Sequence, residues 1–359
     1  MKVTFPHMGN AGIALKALFT GLNLEVVPPP PVSRRTMELG SKYSPEFACL
    51  PLKINVGNFI EALENGADTV VMAGGWGPCR FGYYAQVERD ILNELMFDYQ
   101  MIILEAPDSR LSELFKQFKS LGENVSLWQA LRAIKFAWGK LNAVEKMEKG
   151  LEYILPRAAD PVRAERIYHQ SLAAIDAAGD DEAIRKAVGD AEKNWQGLSR
   201  HSRPVIKLGL VGEIYTILEP AANYHLINHL GFLGAEVTRS IYITDWINDH
   251  LLGGFIKKSH HLQVINSARP YINYWVGGHG QESVGATVEF ARQGYDGVIQ
   301  IGPLTCMPEI VAHSVLGRVS QVEGIPCMTL YFDEHSGTAG VYTRVEAFVD
   351  MLRRQKKVV

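Results

Sequence analysis

Short β-branched apolar runs alternate with amphipathic stretches through the first third of the chain. Lys2–Phe5, Leu24–Val27, Thr69–Ala73 and Met101–Glu105 predict strands, and Gly12–Leu22, Gly57–Leu63 and Tyr83–Met96 predict the helices between them. Strands bounded by turn residues and separated by helical patterns are the sequence form of βαβ units, hence of a parallel sheet covered on both faces. From Ser109 to His201 the strand pattern disappears, and Leu, Ala, Lys, Glu and Trp recur at helical spacings of three and four. Pro161 after Asp160, and Asp180-Asp181 before Glu182, mark helix starts within that stretch. Strand-like runs return at Val205–Val211, Ala235–Ile241, Asp296–Ile301 and Ile325–Phe332.

The pattern predicts an α/β protein: two Rossmann-like parallel-sheet lobes, 1–108 and 203–359, with an inserted helical layer over 109–202. The layer reads as a bridge between the lobes or as a dimer surface. Parallel sheets of this kind take ligands outside the carboxyl ends of their strands, so a cleft between two lobes is the expected site.

A chain of 359 residues exceeds the size at which one core usually stops growing, which agrees with two lobes. A formal net charge of −3 without a long basic run argues against nucleic acid or an anionic membrane surface as partner. No apolar stretch approaches the roughly 18 residues of a membrane span, and Met1–His7 lacks the regions of a signal peptide. A cytoplasmic protein is expected.

In that reducing compartment the four cysteines are not expected to form disulfides, and none lies in a CxxC pair. Cys79 follows an apolar strand and a glycine-rich turn (Val70 to Gly77) and precedes a helix; Cys306 follows Gly297–Pro303 in the same way in the second lobe. Each is thereby placed on a loop leaving a strand's carboxyl end near a helix N-terminus, where unpaired N–H groups favour a thiolate or an anionic cluster. Cys49 lies in a proline-bounded loop (Pro45 to Pro51) that can reach the same cleft. Cys327 opens the strand Ile325–Phe332, at the opposite edge of a parallel sheet, and is left out.

A lone free cysteine is usually a small buried hydrophobe. Three of four in Gly/Pro-rich loops beside helix starts favour ligation instead. Thiolates select iron–sulfur clusters, zinc or Cu(I), and spacing leaves that choice open. Other candidates are weaker. His225 and His229 stand at i, i+4 without the Glu of an HExxH motif and read as packing or surface residues; His260 and His261 are adjacent and point apart. Gly277–Ser283 resembles an anion-binding helix start, Gly9-Asn-Ala-Gly12 is ambiguous, and the GxxxxGK[ST] phosphate loop is absent, so ATP hydrolysis by this chain is not expected.

Several segments together resemble the activase-related group of the 2-hydroxyacyl-CoA dehydratase superfamily, also called CoA protein activases. They are Thr4–Gly9, Lys42–Pro51, Gly75–Arg80, Gly212–Tyr215, Asp296–Ile299 with Cys306–Glu309, and Asp333–Gly337 leading to Thr343–Phe348. The resemblance spans nearly the whole chain outside the helical insert. It implies an oxygen-sensitive iron–sulfur cluster, a 4Fe–4S cubane or a bridged double cubane, with Cys49, Cys79 and Cys306 as its thiolate ligands. It also implies a partner ATPase activator of actin-like fold that delivers one low-potential electron, and a homodimer or a heterodimer with a related subunit.

Three readings of function stay open at this point. The first is a low-potential one-electron reductase or dehydratase-like component. The second is a non-catalytic electron-relay or maturation accessory protein, since no acid/base constellation stands out. The third is a structural-metal binding module. Arg80, beside Cys79, is expected either to raise a cluster's potential or to grip an anionic substrate.

Overall fold

Apolar runs form the two expected sheets, and every strand pairing is parallel. A computed structural model describes residues 1–75, 77–104, 121, 125–251 and 259–358. In lobe one, β1 (Lys2–Thr4) leads through α1 (Ala11–Gly21) to β2 (Glu25–Val26). Then α2 (Arg34–Tyr43) and α3 (Leu50–Glu64) precede β3 (Thr69–Ala73), and α4 (Tyr84–Glu94) precedes β4 (Gln100–Leu104). The strand order is β2-β1-β3-β4.

The helical layer consists of α5 (Leu127–Ile154), α6 (Pro161–Ala177) and α7 (Asp181–Gln196). Ser126, Asp160 and Asp180 cap these helices, their side chains accepting from the backbone N–H of Gln129, Arg163 and Ala183. Met147, Leu151, Ile167, Leu172, Ile184 and Trp195 fill the core between them. The expected boundary between lobe one and the layer, 108/109, lies outside the described residues.

Lobe two starts with β5 (Ile206–Gly212), α8 (Ile214–Leu218), α9 (Leu226–Phe232) and β6 (Ala235–Arg239). The short α10 (Ile243–Trp246) runs into a π-helical turn at Ile247–Leu251, followed by α11 (His261–Ala268) and α12 (Gly280–Arg292). The lobe ends with β7 (Gly297–Pro303), α13 (Met307–Glu323), β8 (Cys327–Phe332) and α14 (Thr338–Val358). Its order, β6-β5-β7-β8, repeats that of the first sheet position for position. The two lobes are therefore one supersecondary plan used twice.

The structure differs from the sequence reading mainly at α2 and α3. The first was not expected, and the second starts at Leu50 rather than Gly57 because Pro51 occupies its first turn, where a missing N–H costs nothing. Among the described residues no helix is long and apolar enough to cross a membrane.

The lobes interlock. Leu50 and Ile54 of α3, in lobe one, belong to the core of lobe two, and the buried Lys53 ammonium pairs with Glu334 on the loop after β8. Tyr215 donates its hydroxyl hydrogen to the His7 carbonyl at 2.7 Å. The layer is tied to lobe two by Arg239, whose guanidinium meets Glu148 and Glu152 of α5 at 2.7 Å each. On its other side Ala130, Ala133 and Ala137 of α5 pack into the core of lobe one beside Leu18 and Phe19, so the layer touches both lobes.

Candidate functional site: three cysteine loops

In each sheet the chain reverses direction of winding between the first and third strands, β1 and β3 in one lobe, β5 and β7 in the other. The crevice outside the carboxyl ends at such a switch point is where open α/β sheets bind ligands. Cys79 lies on the loop leaving β3, Cys306 on the loop leaving β7, and Glu213 directly follows β5. Cys79 and Cys306 therefore occupy equivalent places in the two lobes.

Cys49, Cys79 and Cys306 are all helix N-caps with nearly the same extended backbone. Their φ, ψ values are −70°, 153°; −71°, 130°; and −69°, 105°. Cys49 and Cys306 share the local pattern Cys-X-Pro, with Pro51 and Pro308 in the first turn of α3 and α13. Cys79 caps a short 3-10 turn, Arg80–Tyr83, that runs into α4.

Arg80 connects the three loops. Its guanidinium donates to the Phe47 carbonyl at 2.9 Å on the Cys49 loop, and to the Thr305 carbonyl at 2.7 Å and Thr305 Oγ1 at 2.9 Å on the Cys306 loop. The guanidinium fork is thus used within the protein to hold cysteine loops. A second link runs through Gly277 and Gly278, both at positive φ. A Cβ on Gly277 would stand 2.7 Å from Pro78 Cγ, and one on Gly278 would stand 3.1 Å from Pro308 Cγ and 3.9 Å from Cys79 Sγ. Only glycine lets this strand of backbone pass between the Cys79 and Cys306 loops.

Charge on Cys49 is felt by Cys306, and charge on Cys79 by Cys49; the Glu213 carboxylate acts on all three. Burial pushes each thiol up from its ordinary value, most strongly for Cys306, and Glu213 adds to the shift. Arg80 opposes it at Cys49 and Cys79. Burial thus favours the protonated thiols, and a metal that binds them must displace those protons.

Two neighbours had escaped the sequence reading. Buried Tyr84 places its hydroxyl against the Cys49 thiol, at a position whose helical pattern carried no sign of that contact. Partly buried Glu213 caps α8, accepting from the N–H groups of Tyr215 and Thr216 at 2.9 Å each. Its cue was Gly212, at φ +141°, where a Cβ would stand 1.8 Å from the Ile301 carbonyl oxygen.

Cys327 pairs with Val298 at the start of β7, five residues before Pro303. At about 3.3 Å per residue that is roughly 16 Å from the cysteine end of the sheet, so Cys327 lies at the far edge of the sheet from Cys306. His229 stacks on Tyr342 with ring centroids 3.6 Å apart, and His225 is a left-handed N-cap residue.

The three cysteine sulfurs do not form a set within 4.8 Å of one another; among the described residues that spacing is met by His250, His261 and Glu282. A single zinc at about 2.3 Å from each sulfur needs thiolates about 3.8 Å apart. A polynuclear cluster, in which each thiolate holds its own iron, tolerates wider spacing. No family model matches the chain, and no curated protein matches it in sequence.

Proposed function

We propose that Cys49, Cys79 and Cys306 hold an iron–sulfur cluster, and that the chain works as a low-potential one-electron component of the 2-hydroxyacyl-CoA dehydratase type. The observation that carries this reading is the lacing of three separate cysteine loops by Arg80 at the carboxyl ends of both switch points. The donor set is soft and all sulfur, which suits iron–sulfur chemistry. Its spacing does not suit a single structural ion.

Bound there, a cluster supplies one-electron reduction of a difficult acceptor such as an acyl thioester, with an iron position left open by a three-thiolate set. The chain's own residues do the rest. The Tyr84 hydroxyl donates toward Cys49 sulfur and fixes that ligand's orientation. Arg80 keeps the loops at constant separation. Glu213, raised by desolvation, holds or releases a proton beside the thiols. Glu309, in the first turn of the helix that Cys306 caps, is pushed up to about 7 by burial and is held by Gln300 at 2.8 Å.

An electron-relay role without turnover is the second reading, favoured by the apolar rim of the cleft. Phe47, Tyr83 and Leu304 are exposed on the three cysteine loops, as a docking protein requires. In either case the electron comes from an ATPase of actin-like fold, and the chain pairs with a second copy or a related subunit.

Anaerobic protein mixed with such an ATPase, ATP and a reductant tests the proposal. ATP-dependent bleaching of a broad visible band, and reduction of an added acyl-CoA, are expected. A colourless protein removes the cluster, and bleaching without acyl-CoA turnover selects the relay.

A further inference from the structure

A second constellation lies in lobe two, away from the cysteines. His250 sits in the π-helical turn Ile247–Leu251, His261 opens α11, and Glu282 stands in the first turn of α12. One ligand atom from each lies within 4.8 Å of the other two. The imidazoles meet edge to face with centroids 5.0 Å apart, and His261 Nδ1 is 3.9 Å from Glu282 Oε1. That distance is long for a hydrogen bond. Glu282 Oε2 is sheltered from solvent and has no hydrogen-bond partner among the described residues.

The surroundings already orient these groups. His250 Nδ1 lies 3.1 Å from the Trp246 carbonyl, which can only accept, so Nδ1 carries the proton and Nε2 keeps a free lone pair. A ring N–H given to a backbone carbonyl is the usual outer contact of a metal-binding histidine. Trp246 stacks on the His250 ring. Helices α11 and α12 are in close contact, since a Cβ on Gly285 would stand 2.0 Å from the Val264 carbonyl oxygen. Single-turn π segments occur often at functional sites.

From this geometry we propose that His250, His261 and Glu282 bind a divalent transition-metal ion of the zinc or iron(II) class. Two imidazoles and one carboxylate give three protein ligands and leave coordination positions open, the donor set of hydrolytic zinc and non-haem iron centres. A simple ion pair leaves Glu282 Oε2 without a partner, whereas a cation satisfies it. The site anchors the start of α12, and the residues just before that helix, Gly277 and Gly278, lie against Cys79. The inference does not rest on the iron–sulfur reading.

Cobalt(II) titration of the iron-free protein tests it. The expected result is one cobalt per chain showing ligand-field absorption without a sulfur-to-cobalt charge-transfer band, together with a raised thermal midpoint. Affinity should fall roughly tenfold or more in His261→Asn and in Glu282→Gln. Glu282→Gln is nearly isosteric, so it reports even if His261→Asn does not fold. Cobalt bound only with a charge-transfer band that Cys79→Ser removes, or binding retained in both the His261 and Glu282 variants, overturns the proposal.

Discussion

The Arg80 guanidinium donates to the Thr305 carbonyl at 2.7 Å although the two residues are 225 positions apart in sequence. It joins the cysteine loop of one lobe to that of the other, and its second arm reaches the Cys49 loop through Phe47.

Replacing Arg80 with Lys leaves a single ammonium where a planar fork serves two loops. Because Arg80 is exposed, global stability should change by no more than about 1 kcal/mol. The loops should loosen, so that in air the visible band of the anaerobically prepared variant fades several-fold faster than that of the wild type. Equal fading rates would remove Arg80 from the site.

Backbone geometry gives a graded pair of substitutions. Gly212→Ala places a Cβ on the Ile301 carbonyl at φ +141° and should cost about 3 kcal/mol or more. Gly278→Ala, at φ +48° with 3.1 Å to Pro308 Cγ, enters the left-handed helical region at about 1 kcal/mol. Urea denaturation of both variants checks the order, and the reverse order would contradict the packing described between β5 and β7.

Glu88, fully buried in α4, has its carboxyl pushed up to about 8 by desolvation, and among the described residues only Asn55 donates to it, at 3.2 Å. Folded protein therefore keeps a proton that the unfolded chain loses above about 4.5. Stability from this group is fully present below that value, falls as pH rises towards about 8, and is level beyond. The loss is on the order of a few kcal/mol. Glu88→Gln should flatten that slope and be the more stable chain at alkaline pH, as read from unfolding midpoints across pH. An unchanged slope would show that Glu88 ionises freely.

Much of this arrangement was legible in the sequence. Alternation of β-branched runs with helical spacing showed both parallel sheets, and Gly/Pro context distinguished Cys49, Cys79 and Cys306 from Cys327. What escaped the reading depends on distant partners. Arg80 suggests in sequence an effect on a cluster's potential or a grip on an anionic substrate, because nothing local to it shows that its acceptors are Phe47 and Thr305. Tyr84 and Glu213 likewise acquire their positions only when β3 and β5 stand in register with their neighbours. His261 reads in sequence only as the neighbour of His260, pointing away from it, whereas its partners come from two other elements, His250 and Glu282. The prolines around Cys49 read as loop, which puts the α3 start late in sequence, although Pro51 fits a first helical turn.

The central claim is that three cysteines hold one cluster, and iron with acid-labile sulfide per chain, measured on anaerobically purified wild type and four single Cys→Ala variants, tests it most directly. The account predicts iron and sulfide in the wild type, a substantial loss of both in the Cys49, Cys79 and Cys306 variants, and retention in Cys327→Ala at a packing cost of about 1 kcal/mol. Wild-type protein without iron and sulfide, or equal loss in all four variants, would contradict it.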